Sequence, residues 1–384
     1  MSVIFLLITL MGYTATSTEL DDRLADEVPK YIFFFIGDGM GFNHLTLLEE
    51  YVRWETDGDI DFMLDIHQMP VFTALSTRGG VAPFIPDSAA AGTMLATGEM
   101  VSNGVISIGE DGAYYTSVLK ALQEAGMRTG LVTDVAITHA TPATFGANVA
   151  SREDQLEIAE HYLANQINFL AGGGLRYFLP KELEGKRENG DHLLEKFENA
   201  DYLVQFELEC FLSADFSDVD YYLGLFADKH FPNVLSQRET QVTPSLTQLT
   251  QAGINALSNE EDGFFLMVEG GNIDKLSHDN DQVALPVQML DFYEAIQTAI
   301  RFYHLNPDET LIIVAADHET GGLTLHKADE ASHKPKWASQ NHTGASVPFA
   351  VMGVGYENFT KARHLTDVPR ILADMMGVEI GRLE

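Results

Sequence analysis

The sequence predicts a three-layer α/β/α sandwich, in which helices cover both faces of a large, mostly parallel central sheet. Three observations carry that reading. Continuous apolar runs of strand length recur along the 384 residues, at 31–36, 127–132, 263–268, 310–316 and 346–352. A strand without polar alternation is buried on both faces, as in a parallel sheet. Amphipathic stretches lie between the runs, at 116–125, 152–166, 245–257 and 283–303, and strand–helix alternation builds such a sandwich. Finally, three runs end at an acidic residue. Asp38, Glu269 and Asp317 are therefore expected together beyond the carboxyl ends of the strands, where ligands bind in such sheets.

Residues 1–17 read as a secretory signal, with an apolar core at 3–11 and small residues Ala15, Thr16 and Ser17 for cleavage; Lys and Arg are missing from its start. This places the mature protein in the periplasm or outside the cell. Residues 18–30, polar and acidic, read as a linker into a single α/β domain over 31–384. No later apolar run approaches the roughly 20 residues of a membrane-spanning helix. Residues 178–241 are charge-rich and patchy and are expected as an excursion on the rim, helical over 181–198 and looped over 215–220. The short polar stretch between His318 and His342 is expected to be an exposed loop.

The net charge of −34, from 57 acidic and 23 basic residues, excludes nucleic acid as a partner, since no basic stripe offsets it. A single cysteine, Cys210, permits neither an internal disulfide nor a cysteine-based zinc site. Any zinc must use histidine and carboxylate. Cys210 itself is expected to be a small buried hydrophobe.

Two motifs offer such ligands. Asp274 and His278 stand four apart, and on a helical turn they share one face. Such a pair is usually a solvated surface feature, but here the apolar run and Glu269-Gly270-Gly271 precede it. Asp317-His318 follows another apolar run directly, and a strand-to-loop turn can bring both side chains to one ion. His342, in Asn341-His342-Thr343-Gly344, would read alone as a loop histidine. Ser88 opens a run of small residues, Asp87-Ser88-Ala89-Ala90-Ala91-Gly92. The plain reading is a helix cap worth about 1 kcal/mol. The chemical reading is a nucleophile at a helix N-terminus, where the dipole also favours an anion. No Gly-x-Ser-x-Gly elbow is present, so such a serine would need a metal for activation.

Together these blocks resemble the alkaline phosphatase family. The resemblance rests on Ile36-Gly37-Asp38-Gly39-Met40-Gly41, Asp87-Ser88-Ala89, Thr138-His139-Ala140-Thr141-Pro142-Ala143 and Ser151-Arg152. It continues through Val268-Glu269-Gly270, Ile273-Asp274-Lys275, His278, Ala316-Asp317-His318 and His342-Thr343-Gly344, in the family's order over most of 31–355. It implies two Zn2+ and one Mg2+, with a third site that could also take Zn2+. Asp274, His278 and His342 would hold the first zinc. Asp38, Asp317 and His318 would hold the second, facing Ser88. Asp38, Thr141 and Glu269 would hold magnesium, with His139 and Lys275 just outside that site. Arg152 would clamp two phosphate oxygens. The implied reaction is hydrolysis of small phosphate monoesters at alkaline pH through a phosphoserine, in a homodimer. His139 departs from the Asp common in bacterial members, and Thr320 stands where a histidine is common. The remaining histidines, His44 and His230 among them, are expected to be structural or solvated.

A phosphodiesterase on the same scaffold is the alternative enzyme. A sulfatase would need Pro and Arg two and four positions after the nucleophile, and Ala90 and Gly92 stand there instead. A non-enzymatic metal-binding relative should have lost Ser88, Arg152 or a zinc ligand, and all are present.

Overall fold

The computed structural model describes residues 28–56, 63–80, 84–188, 190–258, 263–327 and 333–382. The signal read at 1–17 and most of the linker lie outside the described residues. The strands are β1 (Tyr31–Gly37), β2 (Val71–Leu75), β3 (Arg128–Ala136), β4 (Phe169–Gly173), β5 (Leu203–Gln205), β6 (Tyr222–Leu225), β7 (Phe264–Gly270), β8 (Thr310–Ala316), β9 (Glu319–Thr320), β10 (Thr324–Lys327), β11 (His333–Lys336), β12 (His342–Thr343) and β13 (Val347–Gly353). The helices are α1 (Phe42–Glu55), α2 (Ser88–Thr97), α3 (Val118–Glu124), α4 (Ala140–Gly146), α5 (Gln155–Ala164), α6 (Leu193–Glu198), α7 (Leu208–Ser213), α8 (Val234–Thr240), α9 (Leu246–Leu257), α10 (Asn272–His278), α11 (Ala284–Leu305) and α12 (Asp367–Met376).

The predicted sandwich is the observed one. Nine strands form one sheet in the order β2–β13–β8–β1–β7–β3–β4–β6–β5. β13 alone runs against its neighbours, β8 and β2. The other pairs are parallel. β1, β7 and β8 are buried along their whole length, as their unbroken apolar sequences require. The long α11 gathers α1, α8, α9 and α10 on one side of the sheet, while α2, α3, α4 and α12 pack together on the other. Local signals set the helix ends. Ser117 Oγ accepts the Lys120 N–H at the start of α3, and Ser245 and Gln248 exchange bonds in a capping box at the start of α9.

Register is what positions the site. Gly37 at the end of β1 lies level with Gly270 of β7 and Ala316 of β8. The next residues, Asp38, Gly271 and Asp317, therefore leave the sheet side by side. Ile36 and Thr133 flank Glu269 from the adjacent strands.

Four expectations need correction. Residues 178–241 do more than pack on the rim, because β5 and β6 are the two outermost strands of the sheet. The four-residue Tyr222–Leu225 run is fully buried, but an acidic sequence surrounds it and hides the strand. Within 181–198 only α6 is an α-helix. A three-residue helical turn at Lys181–Leu183 ends at Glu184, whose φ of 63° stops it. Charged residues there serve ion pairs instead, Arg187 being buried against Glu160 and Asp191. The stretch between His318 and His342 is not a plain loop: β10 and β11 form a hairpin, and β9 pairs with β12. Cys210 is exposed, since Phe211 takes the buried side of α7.

Phe264 is fully buried and touches the rings of Tyr31, Phe33 and Phe302, with centroids 5.2, 5.2 and 5.8 Å away. Phe264→Ala should cost about 3–5 kcal/mol of unfolding free energy. Urea titration followed by circular dichroism checks this; a loss below about 1 kcal/mol would show that the cluster does not hold β1 to β7.

Candidate active site

Asp38 is the first residue past β1, and Gly39 makes room for what surrounds it. Gly39 has φ +75°, and a Cβ there would stand 2.8 Å from Asp274 Oδ1 and 2.9 Å from Thr320 Oγ1. Its N–H donates to Asp317 Oδ1 (3.1 Å) and its carbonyl accepts the Thr320 N–H (3.0 Å). The β1 and β8 turns are thus tied across the site. Glu269, at the end of β7, accepts from Thr133 Oγ1 at 2.5 Å. Asp134 pins the entry to α10 by accepting the N–H groups of Gly271 (2.7 Å) and Asn272 (3.0 Å). α10 then carries Asp274 and His278 on one face.

Three groups of ligand atoms converge at this sheet edge. His278 Nε2 lies 3.2 Å from Asp274 Oδ2 and 3.2 Å from His342 Nε2, and His342 Nε2 is 3.6 Å from Asp274 Oδ1. His318 Nε2 lies 3.2 Å from Asp317 Oδ2 and 3.4 Å from Asp38 Oδ1. Asp38, His139 and Glu269 form the third group, with His139 Nδ1 3.6 Å from Glu269 Oε1. His139 thus stands among the possible ligands of that site, one layer closer than its motif implied. The His318 ring stacks on His342 at 3.5 Å, so the first two groups share a wall. Lys275 follows Asp274 on α10, near enough for its charge to help lower the His139 pKa, behind the larger effect of burial.

The donor set fits divalent cations. Both Asp38 oxygens, Asp317 Oδ2, Glu269 Oε1, His139 Nδ1 and Thr141 Oγ1 are buried and take part in no hydrogen bond. So many orphaned lone pairs in one place are costly unless a cation receives them. The opposite edges of the rings are already held. His278 Nδ1 meets the Gln340 carbonyl at 2.5 Å, His342 Nδ1 the Pro86 carbonyl at 3.0 Å, and His318 Nδ1 the Thr320 hydroxyl at 3.2 Å. Such partners leave each Nε2 as the ligating nitrogen. Thr320 Oγ1 also donates to Asp274 Oδ1 at 2.5 Å, so it orients ligands of both groups.

Ser88 opens α2, and its Oγ lies 3.3 Å from His318 Nε2. The cap of the helix is Asp87, not Ser88: its Oδ1 accepts the Ala90 N–H at 3.0 Å. Asp87 also accepts the Gly104 N–H and takes the Arg152 Nη1 at 2.9 Å. Arg152 Nη2 meets His139 Nε2 at 3.2 Å. Asp38, Ser88, His139, Arg152, Glu269, Asp274, His278, Asp317, His318 and His342 therefore meet at this edge, while Thr141 offers a buried hydroxyl that makes no hydrogen bond. No role here was expected for Asp87, Asp134 or Thr133, while His44 and His230 are hydrogen-bonded, as expected of structural histidines. His230 accepts the Ala136 N–H at Nδ1 (3.1 Å) and sets its ring edge-on to His139, with centroids 5.8 Å apart. Only Asp87 carried a local signal, as a helix-capping residue beside the candidate nucleophile.

A hydroxyl at a buried helix end, a guanidinium and clustered carboxylate and imidazole groups that could hold metal ions thus meet at one edge of the sheet. Comparison with known proteins identifies the family. The family model described as alkaline phosphatase matches residues 29–364. Alkaline phosphatase 3 of Bacillus subtilis is 35% identical over 317 residues, covering 81% of this chain and 65% of that protein. Alkaline phosphatase 4 of the same organism is 38% identical over 303 residues, covering 77% and 62%. The chain thus spans slightly less than two thirds of the length of these curated relatives. The solved alkaline phosphatase of the Antarctic bacterium TAB5 superposes with a TM-score of 0.80 at 27% identity, covering 91% of this chain and 99% of that one. A variant of that enzyme was solved with magnesium bound in a site designated M3. This chain belongs to the alkaline phosphatase family.

Burial, reinforced by Asp317, Asp274 and Glu269, raises the Asp38 pKa well above the usual carboxylate range. Burial pushes Asp317 up to about 8, against the N–H groups of Gly39 and His318. For Asp274 burial is outweighed by the His278 hydrogen bond and by the His318 and His342 charges, which hold it low. With cations removed, protonated Asp38 and Asp317 stabilise the fold. That contribution is complete below their unfolded value near 3.8 and is lost as pH rises through about 8. Chelator-stripped protein should therefore melt lower at about pH 9 than at about pH 6, and metal-replete protein should lack this drop. Thermal melts with and without chelator check it; equal melting of the stripped protein at both pH values counts against the shifts.

Proposed function

We propose that this protein hydrolyses small phosphate monoesters at alkaline pH through a covalent phosphoserine on Ser88. The carrying observation is the placement of Ser88 Oγ at a buried helix N-terminus, 3.3 Å from His318 Nε2 and next to the Asp87 that holds Arg152.

The proposed ligand sets are Asp274, His278 and His342 for one zinc, Asp38, Asp317 and His318 for a second, and Asp38, Thr141 and Glu269 for magnesium. His139 offers the third site a nitrogen that would let it accept zinc. Bound there, these ions would neutralise the carboxylates and supply Lewis acidity toward the Ser88 hydroxyl and the attacking water. A variant of the Antarctic relative in which aspartate replaces a histidine was solved with magnesium in its M3 site, which supports a third cation site in the family.

Arg152 is fixed on one side by Asp87 and His139, and its remaining N–H groups suit two oxygens of a phosphoryl group. The α2 dipole adds attraction for the same anion. Ser88 Oγ loses its proton and attacks phosphorus, the ester P–O bond breaks, and the departing oxygen leaves as the alcohol after taking a proton. Water then attacks the phosphoserine from the side the alcohol left. Ser88 regains its proton and inorganic phosphate departs. Two in-line inversions give net retention at phosphorus. Membership of the alkaline phosphatase family supports the alkaline optimum.

Among the described residues no helix is long and apolar enough to cross a membrane. Residues 1–17 support a periplasmic or secreted location, and family membership supports a homodimer.

Ser88→Ala should lower kcat on p-nitrophenyl phosphate on the order of a thousandfold or more. Arg152→Lys should not restore what Arg152→Ala loses, since a point charge replaces a planar fork. Acid quenching during turnover should trap phosphate on the peptide holding Ser88. Wild-type turnover that survives full chelation, or faster cleavage of bis-p-nitrophenyl phosphate than of the monoester, would sink this reading.

A further inference from the structure

His44 was expected to be structural or solvated, yet it joins two ligand-bearing segments. It lies on the first turn of α1, six residues after Asp38, and is completely buried. Its Nδ1 accepts the Gly41 N–H at 3.0 Å. That bond leaves the ring proton on Nε2, which meets Ser277 Oγ at 3.0 Å. Ser277 Oγ in turn donates to the Ile273 carbonyl at 2.7 Å. The result is a continuous chain of bonds from the turn after Asp38 to the last turn of α10. Burial keeps the imidazole neutral by lowering its pKa to about 4, so both bonds persist across the neutral and alkaline range. The Trp337 ring covers His44 edge-on, with centroids 6.2 Å apart.

We infer that the His44–Ser277 hydrogen bond is a positioning device that sets the rotation of α10, and with it the grip of Asp274 and His278 on their metal. α10 has only seven residues and begins at Gly271 without a side-chain cap. So short a helix has little stiffness of its own. Asp134 anchors its first turn through the Gly271 and Asn272 N–H groups. The last turn carries His278, which stands half-exposed and is tied on its far side only to the Gln340 carbonyl. Ser277 is its immediate neighbour, and the bond to His44 is the side-chain tie from that turn to the segment bearing Asp38. Thr320 aligns Asp274 from one direction; His44 aligns the helix from the other. Supporting groups of this type change metal affinity by about 10–100-fold when removed.

This inference rests on the metal-dependent reading above, and its test is read in zinc retention as well as in turnover. The zinc-loaded wild type, Ser277→Ala, His44→Ala, the double variant and His44→Gln would each be titrated with a competing chromophoric chelator. Ser277→Ala and His44→Ala should each release one zinc about 10–100-fold more readily. The double variant should be no worse than His44→Ala, because the two side chains act as one unit. His44→Gln, whose amide can donate from the Nε2 position, should recover most of the retention. The chelator-stripped melting temperature of Ser277→Ala should stay within a few degrees of the wild type, which separates positioning from simple loss of fold. Unchanged zinc release in both single variants, or additive losses in the double variant, overturns the inference. So does a wild type that retains no zinc, which defeats the phosphatase reading as well. Zinc retention that behaves as expected in a protein without phosphatase turnover supports the inference while the functional reading falls.

Discussion

Everything at the carboxyl edge of the sheet answers to one constraint: four carboxylates crowded into a largely buried space. Asp38, Asp274 and Asp317 converge, and Glu269 stands one strand away with an unbonded oxygen. The sheet itself forces the crowding. β1, β7 and β8 finish level, so their terminal acids cannot fan apart. Repulsion and desolvation both oppose four negative charges there, and the raised pKa values of Asp38 and Asp317 express that opposition. Bound cations would relieve it, and under the proposed function the same cations would turn a region that expels phosphate into one that attracts it. Folding and catalysis would then depend on the same charges.

The histidines divide the labour. His278, His318 and His342 each present one nitrogen inward while the other is held by Gln340, Thr320 or Pro86. Thr320 bonds to ligands in two groups, and His318 stacks on His342 between them. The two proposed zinc sites are therefore a single packed unit. Loss of one set of ligands would disturb the walls of the other.

Much of this was legible in the sequence because ligands sit where strands end. An apolar run that stops at Asp38, Glu269 or Asp317-His318 states both the fold and the position of the group. What stayed hidden depends on contacts between distant segments. β6 is four apolar residues inside an acidic stretch, too short to show a period. His44 and Ser277 are 233 positions apart, and nothing local to either marks the bond. His139 looked peripheral because its reach toward Asp38 depends on where β3 and β7 pair. The β10–β11 hairpin escaped notice because its strands are polar and largely exposed, so no alternation with a buried face marks them.

Asp87 has one further implication. One carboxylate caps α2, secures the backbone at Gly104 and holds Arg152. Fraying of that helix end would release the guanidinium with it. Under the proposed function, the grip on the phosphoryl group and the integrity of α2 would be lost in the same thermal event, so affinity for phosphate would report directly on local melting at one end of one helix.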